Sequence, residues 1–143
     1  MLKGIPAIIS PELIKTLMEM GHGDEIVLAD ANFPAASHAG KLIRCDGHGI
    51  PALLAAIMRF FPLDTYADYA VSLMQVVPGD PVKPAIWDMY LEIIRQEAEQ
   101  KAEFCWVDRF SFYEQAKQAY AIVATGERAL YGNIILKKGV IQS

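Results

Sequence analysis

His22 stands between two glycines in Met20-Gly21-His22-Gly23-Asp24-Glu25. Glycine on both sides lets the backbone turn sharply and leaves the imidazole little steric cover. An imidazole displayed in this way suits proton-transfer chemistry; the same residues also read as a helix-exit loop carrying a surface histidine. Asp30 follows four apolar residues, Ile26-Val27-Leu28-Ala29, and so emerges at the carboxyl end of a strand, where α/β sheets build binding crevices. As an Asx-turn acceptor opening the Asn32-Phe33-Pro34 loop it would need no ligand. Arg109 follows the apolar run 104–107, and its forked guanidinium suits either vicinal hydroxyls or a surface ion pair. Tyr131 and Asn133, two apart ahead of the run 134–136, share a face if a strand has begun there, and would offer a phenol and an amide to a polyol. As turn residues at a strand edge they would need no function.

Other chemistries find less support. Gly47-His48-Gly49-Ile50-Pro51-Ala52 has the G-x-G-x-x-A form of a dinucleotide-binding turn. The run 71–77 that follows ends in Val-Val-Pro without the acidic residue that would take the ribose, so the segment reads as a plain strand-to-helix turn. His22, His38 and His48 lie near Asp24, Asp30 and Asp46, but their spacing matches no metal-ligand motif, and no metal is expected. There is no phosphate loop and no G-x-S-x-G, and Cys45 and Cys105 have no motif context; both read as small buried hydrophobes.

The elements that must position these residues follow from local signals. Ser10-Pro11-Glu12 supplies a cap, a proline at the first helical position and an acid at the positive end of the dipole. Leu13, Ile14, Leu17 and Met18 make that helix's apolar stripe, and Gly21 stops it. Residues 26–29 are apolar at every position, which predicts a strand covered on both faces. After a turn-rich stretch around Phe33-Pro34, 41–45 reads as a strand and 51–61 as an apolar helix stopped by Pro62. Strands are predicted at 71–77, 104–107, 122–124 and 134–136. Helices are predicted at 85–100, with Ile86, Met89, Tyr90, Ile93 and Ile94 on one side, and at 111–120. Strands alternating with helices predict an α/β fold, a single compact layered domain over residues 1–143 with a central, mostly parallel sheet and flanking helices.

Composition narrows the partner. The chain has 143 residues and a net charge of -4, so it presents no broad positive field for nucleic acid, and a neutral small molecule fits better. No secretory leader pattern and no 18-residue apolar run occurs, which predicts a reduced, soluble, cytoplasmic protein away from membranes. Its apolar fraction of 53% and mean hydropathy of +0.22 are high for one small domain, which predicts a homo-oligomer that buries part of this surface between copies.

Five blocks, taken together, carry a resemblance. Ile9-Ser10-Pro11-Glu12-Leu13, Met20 to Ile26, Asp30-Ala31-Asn32-Phe33-Pro34, Arg109-Phe110-Ser111-Phe112-Tyr113-Glu114, and Thr125-Gly126-Glu127-Arg128 with Tyr131 to Val140 resemble the L-fucose mutarotase and D-ribose pyranase family over almost the whole chain. The resemblance implies an isomerase that opens and recloses an aldose ring by acid/base catalysis without a cofactor. It implies His22 as the catalytic proton donor, and Asp30, Arg109, Tyr131, Gly132 and Asn133 as sugar-binding residues. The Tyr-Gly-Asn form is more similar to the fucose branch, and Tyr-Ala-Asn would be closer to the ribose branch. D-ribose pyranose-furanose interconversion and a non-catalytic sugar-binding module are the alternatives. A ring-shaped homo-oligomer, commonly a decamer of two stacked pentamers with sites between subunits, is implied as well.

Overall fold

In a computed structural model, which describes residues 1–98 and 102–143, the Ser10 cap forms as its sequence demands. Its Oγ accepts the Leu13 amide at 3.1 Å, and helix α1 runs Pro11–Glu19. The inward face differs from the predicted stripe: Leu13, Thr16 and Leu17 are buried, while Met18 is exposed. Thr16 tolerates burial because its hydroxyl donates to the Glu12 carbonyl at 2.9 Å, which satisfies it within the helix.

Six strands follow in the predicted places: β1 Glu25–Ala29, β2 Leu42–Cys45, β3 Val71–Met74, β4 Phe104–Val107, β5 Ala121–Thr125 and β6 Ile134–Lys137. They form one sheet in the order β2-β5-β1-β6-β3-β4. β6 runs antiparallel to both its neighbours, β1 and β3, and the remaining pairings are parallel, so the sheet is mostly parallel as the sequence predicts. β3 stops at Met74, short of the predicted Val77. The other helices are α2 Ala35–His38, α3 Ile50–Met58, α4 Ile86–Glu97 and α5 Arg109–Gln118.

Two helix boundaries shift for local reasons, and one short helix is not predicted. α3 ends at Met58; Arg59 keeps helical dihedrals and the Phe61 amide still donates to the Ile57 carbonyl at 3.0 Å, so the chain leaves the helix through one further turn before Pro62 stops it. α5 begins two residues early because Asp108 caps it, accepting the Ser111 amide at 3.1 Å. α2 is a single turn in the stretch read as turn-rich. Predicted helix positions 99 and 100 fall outside the described residues.

Alternation along β1 divides the core. Ile26 and Leu28 pack with Leu13, Leu53, Ile57, Tyr90 and Ile94 of α1, α3 and α4 on one face. Val27 and Ala29 pack with Phe33, Ala35, Phe112 and Ala116 on the other, where α2 and α5 lie. Both faces are covered over residues 26–29, so those four positions are all apolar, and the charged Glu25 stands at the half-buried start of the strand. The carboxyl edge of the sheet therefore collects the ends of the five parallel strands and the start of β6. The amino edge joins the start of β1 to the end of β6: the Gly23 amide donates to the Lys138 carbonyl and the Lys138 amide to the Asp24 carbonyl, each at 2.8 Å.

Candidate active site

The carboxyl edge holds five of the six residues singled out in the sequence. Asp30 follows β1 and is buried; its backbone amide donates to Asn133 Oδ1 at 2.7 Å, and its own Oδ1 accepts the Asn32 amide at 3.0 Å. The Asx turn and the crevice position thus coexist in one residue. Burial pushes the Asp30 carboxyl up, against the amides of Asn32, Phe33 and Gly132 that favour its charged form, and nearby Glu127 adds to the rise. Asn133, also buried, sits one residue ahead of β6.

The strand has not begun at Tyr131, so the shared face expected for Tyr131 and Asn133 does not arise. Tyr131 instead adopts φ 57°, the left-handed region, and is the one non-glycine among the described residues to do so. A side-chain-bearing residue there costs of order 1–3 kcal/mol, which the surroundings must offset. They do so with several hydrogen bonds. The Tyr131 phenol donates to Asp80 Oδ2 at 2.6 Å, and the Val77 amide donates to the phenol oxygen at 3.3 Å. Trp87 Nε1 donates to the Tyr131 carbonyl at 2.9 Å, and the buried Tyr90 hydroxyl to the Gly132 carbonyl at 2.7 Å. A Cβ on Gly132 would stand 3.0 Å from the Ala129 carbonyl and 3.5 Å from the Tyr90 oxygen, so this loop is fitted to glycine.

Arg109 opens α5 and makes no ion pair among the described residues. Its Nε donates to the Tyr113 hydroxyl at 3.1 Å, and its guanidinium lies 5.4 Å from the Tyr113 ring centroid. Tyr113 meets Phe33 and His38 edge-on, with centroids 5.3 and 5.4 Å away. A cleft of about 310 Å³ opens at this edge, lined by Asp30, Phe33, Pro34, Arg44, Asp46 and Thr125 among others; Arg109, Tyr131, Gly132 and Asn133 are not in its lining. Apolar walls with a few convergent polar groups are what small polyhydroxy ligands require. Sequence reasoning missed Tyr113, although an i, i+4 spacing from Arg109 puts the two on one helix face once residue 109 is read as helical.

The dinucleotide-like turn is filled from within the chain. Gly49 caps α3, and the Ile50 amide at that helix N-terminus donates to Glu127 Oε2 at 3.0 Å, while Glu127 Oε1 accepts the Ala129 amide at 3.0 Å. The place a phosphate would take at the dipole's positive end belongs to a carboxylate of the β5–β6 loop. Gly126 precedes it because a Cβ there would run into the Asp46 carbonyl. Among the described residues no group of three or more His, Cys, Asp and Glu side chains could hold a metal ion, and no helix is long and apolar enough to cross a membrane. Cys45 is buried as expected; Cys105 is only half-buried, with its sulfur 3.4 Å from Ser72 Oγ.

His22 is at the opposite edge. Its Nε2 lies 3.0 Å from Asp64 Oδ1, and its ring stands 5.3 Å from that of Tyr66. The imidazole is 45% exposed and the Asp64 side chain only 5%. Burial alone would raise the Asp64 carboxyl, but hydrogen bonds from the Tyr66 amide and from His22 outweigh it and hold the group below the usual carboxylate range. An ionised carboxylate only accepts, so Nε2 carries the proton, and Nδ1 takes no part in that pair. Asp64 went unseen in the sequence because it pairs with a residue 42 positions away. Five-residue β1 separates His22 from Asp30, ~16 Å at ~3.3 Å per residue. One chain therefore does not bring the imidazole to the carboxyl-edge residues.

Comparison with known proteins places this architecture. The model of the RbsD / FucU transport protein family matches residues 3–141. A fucose mutarotase of Danio rerio is 55% identical, over 98% of this chain and 94% of that protein. The crystal structure of the fucose mutarotase from Streptococcus pneumoniae in complex with L-fucose is 57% identical and superposes with a TM-score of 0.94, covering 99% of this chain and 100% of that one. The Bacillus subtilis RbsD structure complexed with D-ribose shares the fold at 21% identity, with a TM-score of 0.78 over 99% of this chain and all of its own.

Proposed function

This chain belongs to the RbsD/FucU transport protein family, and from that premise we propose that it is an L-fucose mutarotase, an isomerase interconverting the α and β anomers of the free sugar. The observation that carries this reading is the full-length likeness to the L-fucose-bound mutarotase. Mutarotation removes the proton of the anomeric hydroxyl, protonates the ring oxygen, and recloses the ring on the other carbonyl face. No carbon changes its oxidation state, so the chemistry asks only for positioned acids and bases, each contributing ~10²–10⁴ in rate.

In this reading His22 is the proton donor to the ring oxygen. Asp64, holding Nε2–H, fixes the ring's orientation, and Nδ1, once protonated, is the donor. Asp30 accepts from a sugar hydroxyl, and Arg109, Tyr131, Gly132 and Asn133 hold the rest of the polyol beside the Tyr113 and Phe33 rings. Because His22 stands a strand's length from these groups, each site draws its histidine from a second copy of the chain. The single domain of residues 1–143 then works as a cytoplasmic ring-shaped homo-oligomer, a decamer of two stacked pentamers. Exposed Tyr66, Tyr69, Trp106, Phe110 and Leu130 supply apolar surface for such contacts.

The test is NMR magnetisation exchange between the anomers of L-fucose, and separately of D-ribose, with and without the protein. Faster exchange for fucose, with little effect on ribose, is expected, and His22→Gln should lose ~10²-fold or more of the acceleration while remaining folded. Binding of fucose without faster exchange would reduce the protein to a sugar-binding module, and acceleration of ribose interconversion alone would assign the pyranase reaction instead.

A further inference from the structure

The β3–α4 segment, residues 75–85, sits outside the family motifs, yet it grips the substrate-edge loop. Asp80 is preset by its own turn: its amide donates to the Val77 carbonyl at 3.1 Å, its Oδ1 accepts the Val82 amide at 3.0 Å, and Gly79 before it takes φ 90°. That leaves Oδ2, which accepts the Tyr131 phenol at 2.6 Å. A phenol has one proton to give, and an ionised carboxylate has none, so the proton of this bridge belongs to tyrosine and is already committed. The Val77 amide donates to the phenol oxygen from another side at 3.3 Å, so that oxygen already acts as an acceptor and keeps its other lone pair for a substrate hydroxyl. The two titrations agree with it: Asp80 pushes the Tyr131 phenol up, and the phenol, with the Val82 amide, holds the Asp80 carboxyl down.

We propose that Asp80 is a positioning residue for the mutarotase, one that fixes Tyr131 as a hydrogen-bond acceptor toward substrate by accepting the only hydrogen bond the phenol can donate. The identity of the substrate rests on the mutarotase reading; the hydrogen bond does not. Its consequence is a polarity of recognition. Asp30 and Tyr131 both accept hydrogen bonds from sugar hydroxyls, while Arg109 can only donate. The carboxylate behind the phenol makes its oxygen a stronger acceptor through the polarised O–H. Asn at position 80 would keep an oxygen for the Val82 amide but present an amide donor to the phenol, reversing the direction of the bridge.

The experiment compares wild type, Asp80→Asn, Tyr131→Phe and the double variant, each checked for folding by circular dichroism and for assembly by light scattering. Fucose anomer exchange over a range of sugar concentration separates KM from kcat. Asp80→Asn should raise KM about tenfold, with a smaller change in kcat. The double variant should be no worse than Tyr131→Phe alone, because Asp80 acts through the phenol. A wild-type KM for Asp80→Asn, or an undiminished penalty in the Tyr131→Phe background, overturns the proposal. The second readout uses tyrosine labelled with 13C at Cζ, with the Tyr131 signal assigned by its loss in Tyr131→Phe. Its alkaline titration should move down toward that of ordinary tyrosine in Asp80→Asn, and an unmoved titration refutes the bridge itself. A wild-type protein that speeds exchange of no aldose would instead overturn the mutarotase reading, and the positioning role with it, while the titration still reports the bridge.

Discussion

Two inactive variants should restore each other if the histidine of each site comes from a neighbouring chain. His22→Ala removes the imidazole at the amino edge of β1 and leaves the carboxyl-edge groups intact. Asp30→Ala removes the carboxylate at the far end of the same strand and leaves the His22–Asp64 pair intact. Each alone is expected to be inactive. In an oligomer assembled at random from equal amounts, a site works when the chain giving the histidine is the Asp30 variant and the chain giving the carboxylate is the His22 variant. Each condition holds half the time, so about one quarter of the sites, and about one quarter of wild-type activity, should return. The mixture is prepared by co-expression or by joint refolding, and fucose anomer exchange is read by NMR. If one chain supplied both residues, every site would lack one of them and activity would stay at zero. No recovery in an oligomer shown by mass spectrometry to be mixed would refute the shared site and the ~16 Å separation argument behind it.

Two further outcomes follow from the carboxyl edge. Asp30→Asn is expected to raise Tm at neutral pH while lowering activity, since burial penalises the charged carboxylate; the folded-state pKa lies above the unfolded one, so the native state binds the extra proton, and the advantage of the variant should shrink as pH falls through that raised value and wild type is neutralised. Thermal scans from pH 7 down to about pH 4 check this, and an advantage that grows on acidification would contradict it. Glu127→Ala should destabilise the fold by about 2–4 kcal/mol, because two amides, those of Ile50 and Ala129, lose a charged acceptor; urea unfolding at fixed protein concentration measures it, and a change within error would mean water replaces the carboxylate at no cost.

Much of the frame was legible in sequence because it is set by neighbours along the chain. The Ser10-Pro11-Glu12 start of α1, the fully covered β1, and the helix-strand alternation all depend on local caps and periodicity. So does the break at Pro78-Gly79, although there the strand ended three residues sooner than its apolar run. The motif blocks also named the carboxyl-edge residues. That His22 and Asp30 flank one strand was present in the sequence too, since the covered run 26–29 has two ends and holds them apart.

Only the tertiary structure decided which distant groups meet. Asp64 reaches His22 across 42 residues, Asp80 reaches Tyr131 across 51, and Glu127 reaches the start of α3 across 77. No periodicity encodes such pairs, because each depends on the order in which strands dock, here with antiparallel β6 inserted between β1 and β3. The left-handed turn at Tyr131 has the same origin: a tyrosine disfavours that conformation by itself, and bonds from Asp80, Val77 and Trp87, all far off in sequence, hold it there. Local physics thus fixed the elements and the chemistry each carries, and long-range packing fixed the company each functional group keeps.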